Sequence, residues 1–114
     1  MFMNVITEPA DISFDKAGVK GKIFPTDQLT NSAEFILIST DQGHETKIIQ
    51  HKSTFSYYVI EGSGHFEIED IIQECKTGDM VVIPAGSKFR YSGRLKLLLI
   101  VTPPWREDQE ETIY

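Results

Sequence analysis

The chain has 114 residues, of which 40% are hydrophobic, 25% charged and 11% aromatic, with a formal net charge of −6. That length supports one domain with its own core and is too short for two. Phosphate-backbone binding draws on clustered Lys and Arg, and no such cluster occurs, so the acidic balance argues against nucleic acid as a partner.

The N-terminal stretch from Met1 to Glu8 has neither a basic start nor a sustained apolar run and does not read as a signal peptide. Phe2, Val5, Ile6, Ile12, Phe14, Ile23 and Phe24 then fill residues 1–33 with apolar side chains, between turn formers at 15–21 and 25–31. This segment is expected to form an arm or edge strands that need a surface to cover. Runs rich in β-branched and aromatic residues follow, and they predict strands at 34–40, 45–51, 55–61, 65–70, 80–83, 88–91 and 95–102. Turn signals separate them at Asp41-Gln42-Gly43, Glu61-Gly62-Ser63-Gly64, Thr77-Gly78-Asp79, Pro84-Ala85-Gly86 and Ser92-Gly93. Many short strands with regular turns predict an all-β sandwich or barrel. No stretch carries a helical apolar period. Pro103-Pro104 ends the last strand, because a proline pair cannot continue a ladder. Trp105 is expected to pack on the barrel or on a second subunit, and the acidic tail 106–112 to be mobile at its end. The longest apolar run, Leu97 to Val101, is too short to cross a bilayer, so no membrane partner is expected. Cys75 is the single cysteine, which excludes an intrachain disulfide and fits a reducing cytoplasm.

Two spaced frames stand out, Gly43-x5-Ile49-x-His51-x3-Phe55-x6-Gly62 and Gly78-x5-Pro84-x-Gly86-x2-Phe89-x3-Gly93. They resemble the two signature motifs of the cupins, whose first frame reads G-x5-H-x-H-x3 or x4-E-x6-G and whose second reads G-x5-P-x-G-x2-H-x3-N. The resemblance implies a double-stranded β-helix, a jelly-roll barrel, over 34–104, with 1–33 as N-terminal arm and 105–114 as C-terminal tail. It also implies that such cupins dimerise through N-terminal strands, and a homodimer is expected here. Of the four positions that hold metal in the family, His51 alone keeps a ligand side chain, while Ile49, Phe55 and Phe89 cannot coordinate an ion. A metal at that site is therefore not expected, nor any other cofactor. Ligands relocated to His44, Glu45, His65, Glu67, Asp79 or Cys75 are also disfavoured, because His44 and His65 read as solvated turn residues and Cys75 as a small packed hydrophobe.

Counting by twos along the strands brings Tyr57 onto the face of Phe55, Tyr91 onto the face of Phe89, and Lys47 onto the face of His51. The expected cavity is thus lined by Lys47, Ile49, His51, Phe55, Tyr57, Phe89 and Tyr91. The first expectation is a metal-free cupin that binds a small molecule, carbohydrate-like in character. The alternative is a metal-independent sugar isomerase or epimerase with His51 as base and Tyr57 or Tyr91 as acid, as enzymes of the same superfamily use a His base and a Tyr acid. A metal-dependent dioxygenase or isomerase is disfavoured by the three missing ligands.

Overall fold

The computed structural model describes residues 4–113 and contains nine strands and one short 3-10 turn. In chain order the strands are β1 (Phe14–Lys16), β2 (Val19–Ile23), β3 (Glu34–Thr40), β4 (Lys47–Gln50), β5 (Thr54–Ile68), β6 (Ile71–Lys76), β7 (Met80–Ile83), β8 (Lys88–Thr102) and β9 (Glu110–Ile113). All pairings are antiparallel, and together they form the curled sheet of a double-stranded β-helix.

Two 15-residue strands, β5 and β8, pair with each other from Thr54↔Thr102 to Ile68↔Phe89 and belong to both layers of the barrel. Their outer halves carry β7 on one side and β3, β2 and β1 on the other. Their inner halves carry β6 on one side and β4 and β9 on the other. Between the halves both strands bend. Gly64 lies directly opposite Gly93, and a Cβ at Gly62 or Gly64 would collide with the carbonyl oxygen of Arg94 or Ser92. The glycines expected to close a hairpin at 62–64 instead let two continuous strands cross backbone to backbone. A register shift between Val59 and Glu61 also switches the buried parity of β5, from Phe55, Tyr57 and Val59 to Phe66.

Strand period two carries the rest of the core. Ile36 and Ile38 from β3, Ile48 from β4, and Phe89, Tyr91, Leu95, Leu97, Leu99 and Val101 from β8 all point inward, with Ile83 and Cys75 closing the ends. Four core rings, Phe55, Tyr57, Phe66 and Phe89, meet edge-on or tilted at centroid distances of 5.2 to 6.2 Å.

Several expectations need correction here. Residues 71–76 form β6, paired with the second half of β5. The C-terminal tail, expected to be mobile at its end, contains β9, which pairs with β4 from Gln50↔Glu110 to Lys47↔Ile113. Within residues 1–33, expected as an arm or edge strands, β1 and β2 extend the sheet from β3 at its edge, Val19 is buried and Phe14 packs on the core. Val5 and Ile12 stay exposed, and Phe2 lies outside the described residues. No helix among the described residues is long and apolar enough to cross a membrane.

Candidate functional site

The first motif frame slips by one residue. In β4 it is Ile48 and Gln50 that turn inward, 6% and 2% exposed, so Ile49 and His51 face the other way. One residue of slip exchanges the two faces of a strand. The His51 imidazole is half-exposed and meets the Glu111 carboxylate at 3.4 Å, outside the barrel. Lys47 is held outside as well, by Glu67 at 3.0 Å and Asp70 at 3.3 Å, and these carboxylates raise its pKa. Lys47, Ile49 and His51 therefore do not line the cavity, contrary to expectation. Phe55 and Tyr57 do, and so does Tyr91, while Phe89 is buried behind them against Phe55 and Tyr57.

The inward residues nearest to a metal-holding pattern are then Ile48, Gln50, Phe55 and Phe89. Gln50 is already committed, its amide donating to the Arg106 carbonyl at 3.3 Å and its side-chain oxygen accepting from the Lys52 amide at 3.2 Å. One amide and three hydrocarbon side chains do not fit a transition metal, which takes three or four N, O or S donors. Among the described residues no three His, Cys, Asp or Glu side chains come together.

The cavity has a volume of about 330 Å³ and opens between the β1–β2 hairpin, β3 and the segment that follows β8. Its walls are largely apolar: Phe14, Val19, Ile36, Ile38, Ile48, Phe55, Leu99 and Val101. Set into them are His44, Tyr57 and Tyr91 toward the inside, with Lys16, Glu34, Trp105 and Glu110 also on the lining. Few polar groups in an apolar cleft of this size are the usual make-up of a small-molecule site. A larger groove of about 1050 Å³ runs along Lys20, Ser39, Lys96, Glu61 and Arg94. Its charged side chains are solvated, Arg94 and Asp41 being 88% and 94% exposed, so it cannot desolvate a ligand in the same way.

His44, expected as a solvated turn residue, is a cavity residue. It sits in the loop between β3 and β4, its ring centroid 6.0 Å from that of Tyr91. Its Nδ1 lies 2.8 Å from the Thr46 carbonyl, which can only accept, so Nδ1 carries the proton. In the neutral ring Nε2 is then the lone-pair nitrogen, the form a general base requires.

Tyr57 and Tyr91 are 3% exposed, with centroids 5.4 Å apart. Burial pushes the phenol pKa of Tyr57 well up, helped by Tyr91 and the Glu110 carboxylate. Burial likewise raises that of Tyr91, while the interaction with Tyr57 draws it partly back. Both phenols stay neutral at physiological pH and act as donors. The Trp105 indole N–H donates to Glu110 Oε1 at 2.9 Å, and the Lys16 ammonium stands 5.6 Å from the Trp105 ring centroid. A sequence signal for His44 was present in its place directly after Gly43, but its inward position depends on how the loop docks on β8.

No protein-family model matches the sequence, and no curated protein matches it either. Solved structures do. Pac13 from Streptomyces, solved with uridine, superposes with a TM-score of 0.90 at 22% identity over 99% of this chain and 92% of its own. Another Pac13 structure, described as that of a unique nucleoside dehydratase, gives 0.89 at 23% identity over 98% and 92%. The three uridine complexes are variants that replace one histidine and two tyrosines, at positions 13 and then 34 residues apart. KdgF from Halomonas gives 0.71 at 20% identity over 86% and 89%. An RmlC-like cupin from Shewanella frigidimarina gives 0.67 at 22% identity over 86% of each chain.

Proposed function

From the cupin fold that this chain has, and from the groups its cavity holds, we propose that the protein is a metal-independent acid–base enzyme that removes water from the sugar of a nucleoside. One observation carries this reading. His44, Tyr57 and Tyr91, 13 and then 34 residues apart, line one cavity, with the spacing of the histidine and two tyrosines replaced in the Pac13–uridine complexes.

The chemistry follows from what each group can do. A sugar C–H is acidic enough for an imidazole only beside a carbonyl, so the reacting nucleoside carries one. His44 Nε2 takes the proton from that carbon, and the electron pair moves onto the carbonyl oxygen. The Tyr91 hydroxyl donates to the oxyanion. When the enolate collapses, the C–O bond one carbon further breaks, the leaving hydroxide takes the proton from the His44 imidazolium, and water departs from an unsaturated carbonyl product.

The cavity lining favours an uncharged nucleoside over a nucleotide. Glu34 and Glu110 contribute two carboxylates against one ammonium, Lys16, and about 330 Å³ lies at the small end for ligand sites. Calorimetry with uridine and UMP tests the pocket: uridine binds, and UMP binds at least about tenfold more weakly. Loss of 18 Da from a nucleoside aldehyde, followed by mass spectrometry, tests the reaction, and His44→Gln slows it by about 10² to 10⁴. A wild type that binds neither ligand overturns the proposal. The binding-only reading expected from the sequence holds if uridine binds and no aldehyde is turned over. The homodimer stays part of the proposal, supported by exposed Tyr58, Ile60, Met80 and Val82 on the outer face of β5 and β7, and light scattering tests it.

A further inference from the structure

His44 is placed by a loop, and loops hold a side chain only as firmly as their own backbone is anchored. The anchor begins with the last residue of β3. Thr40 is 7% exposed, and its Oγ1 accepts the Gly43 N–H at 2.7 Å and the Gln42 N–H at 3.3 Å. The same hydroxyl donates its proton to the Gly18 carbonyl at 2.7 Å. One donor and two acceptor sites are then all in use. On its far side the loop rests on β8, where the Tyr91 amide donates to the His44 carbonyl at 3.2 Å and the Gly93 amide to the Gln42 carbonyl at 3.1 Å. Gly43 sits so close to Tyr91 and Ser92 that a Cβ would overlap their backbone.

Gly18 belongs to the turn between β1 and β2, the hairpin that brings Phe14, Lys16 and Val19 to the cavity. That turn packs directly on the loop, since a Cβ at Gly18 would stand 2.9 Å from the Gln42 side-chain Nε2 and 3.1 Å from the Gly43 carbonyl oxygen. The Thr40 hydroxyl is thus a single buried group that ties the wall carrying His44 to the wall carrying Lys16.

We infer that Thr40 is a positioning residue for His44, one that acts through the Gly43 amide and never touches the ligand. The inference rests on the reading of His44 as the working base. Valine has the shape of threonine without the hydroxyl, so Thr40→Val leaves the buried Gly43 N–H without a partner and breaks the tie to the Gly18 carbonyl, whereas Thr40→Ser keeps both bonds. The loop then loosens, and the Nδ1 contact to Thr46 that selects the tautomer loosens with it.

Nitrogen-15 NMR of the imidazoles tests this, with His51 and His65 as internal references in a chain of three histidines. The wild type shows one dominant Nδ1–H tautomer at His44. Thr40→Val mixes the two tautomers at His44 alone and weakens uridine binding about tenfold, the equivalent of one hydrogen bond, while Thr40→Ser stays within about threefold of wild type. A folded Thr40→Val protein with an unchanged His44 spectrum overturns the inference. Should that variant not fold, the wild type decides: the Gly43 amide is protected from hydrogen exchange on the order of 100-fold, and an unprotected amide overturns the anchor. If the wild type does not bind uridine, the functional reading fails, and the tautomer spectrum still decides the role of Thr40.

Discussion

Replacing the two buried phenols by phenyl rings should change how stability depends on alkaline pH. The folded state holds the protons of Tyr57 and Tyr91 more tightly than the unfolded chain, because burial raises both pKa values. Unfolded tyrosines ionise near pH 10. The contribution of each phenol is therefore complete below about pH 10 and is lost as the pH rises from there toward the folded value. The slope approaches about 1.4 kcal/mol per pH unit for each phenol once the unfolded tyrosine is fully ionised, so the pair accounts for about 2.7 kcal/mol between pH 9 and 11. Cys75, raised by burial, and Lys47, raised by its carboxylates, slope the same way in every variant and cancel in the comparison. Urea unfolding at steps from pH 9 to 11, followed by circular dichroism, should show Tyr57→Phe and Tyr91→Phe each flattening the dependence by about half the pair's share, and the double variant by all of it. At pH 8 the same Tyr57→Phe should cost no more than about 1 kcal/mol, because phenylalanine keeps the tilted and edge-on ring contacts with Phe55, Phe66, Phe89 and Tyr91. Equal slopes in the wild type and the double variant would refute the reasoning, because the phenols would then ionise alike in both states.

The remaining outcomes concern the core, the strand crossing and the barrel interior. Phe66 is fully buried, its ring stacked 4.9 Å from Tyr91 and tilted 5.2 Å from Tyr57, so Phe66→Ala should cost about 3 to 5 kcal/mol in urea unfolding, and a loss below about 1 kcal/mol would contradict that packing. Gly62→Ala should cost at least about 2 kcal/mol, since φ is +101° there and the new methyl meets the Arg94 carbonyl; a neutral change would mean that β5 and β8 do not cross there. A folded protein with Ile48→His, Gln50→His, Phe55→Glu and Phe89→His should bind zinc in calorimetry, whereas Ile49→His beside the native His51 should not. Binding by the second and not the first would restore the frame that places His51 inside.

The fold was legible because glycine and proline spacing reports backbone crossings and turns, and those survive when the chemistry of a site changes. Phe55, Tyr57 and Tyr91 were legible for the same reason, since period two within one uninterrupted strand segment puts them on one face. His51 and Ile49 were misplaced because the motif spacing admits either three or four residues before Phe55, and a strand inverts its faces with a single step. Residues 71–76 escaped because a charged turn at Glu69-Asp70 hides a hairpin whose second strand is mostly exposed and so lacks an apolar face. β9 escaped because Glu110 to Ile113 gains its ladder from β4, about 60 residues earlier, and nothing local announces that partner. His44 was misread on similar grounds. Its ring is a cavity group only because Thr40, Tyr91 and Gly93 hold the loop from three other strand positions.

Central to this account is that His44, and not His51, is the histidine that meets a nucleoside. A titration of the wild type with uridine, followed through the imidazole nitrogens, tests it directly. The account predicts that Nε2 of His44 shifts in step with saturation while the signals of His51 and His65 stay in place. Saturable binding that moves His51 or His65 and leaves His44 unchanged would contradict it.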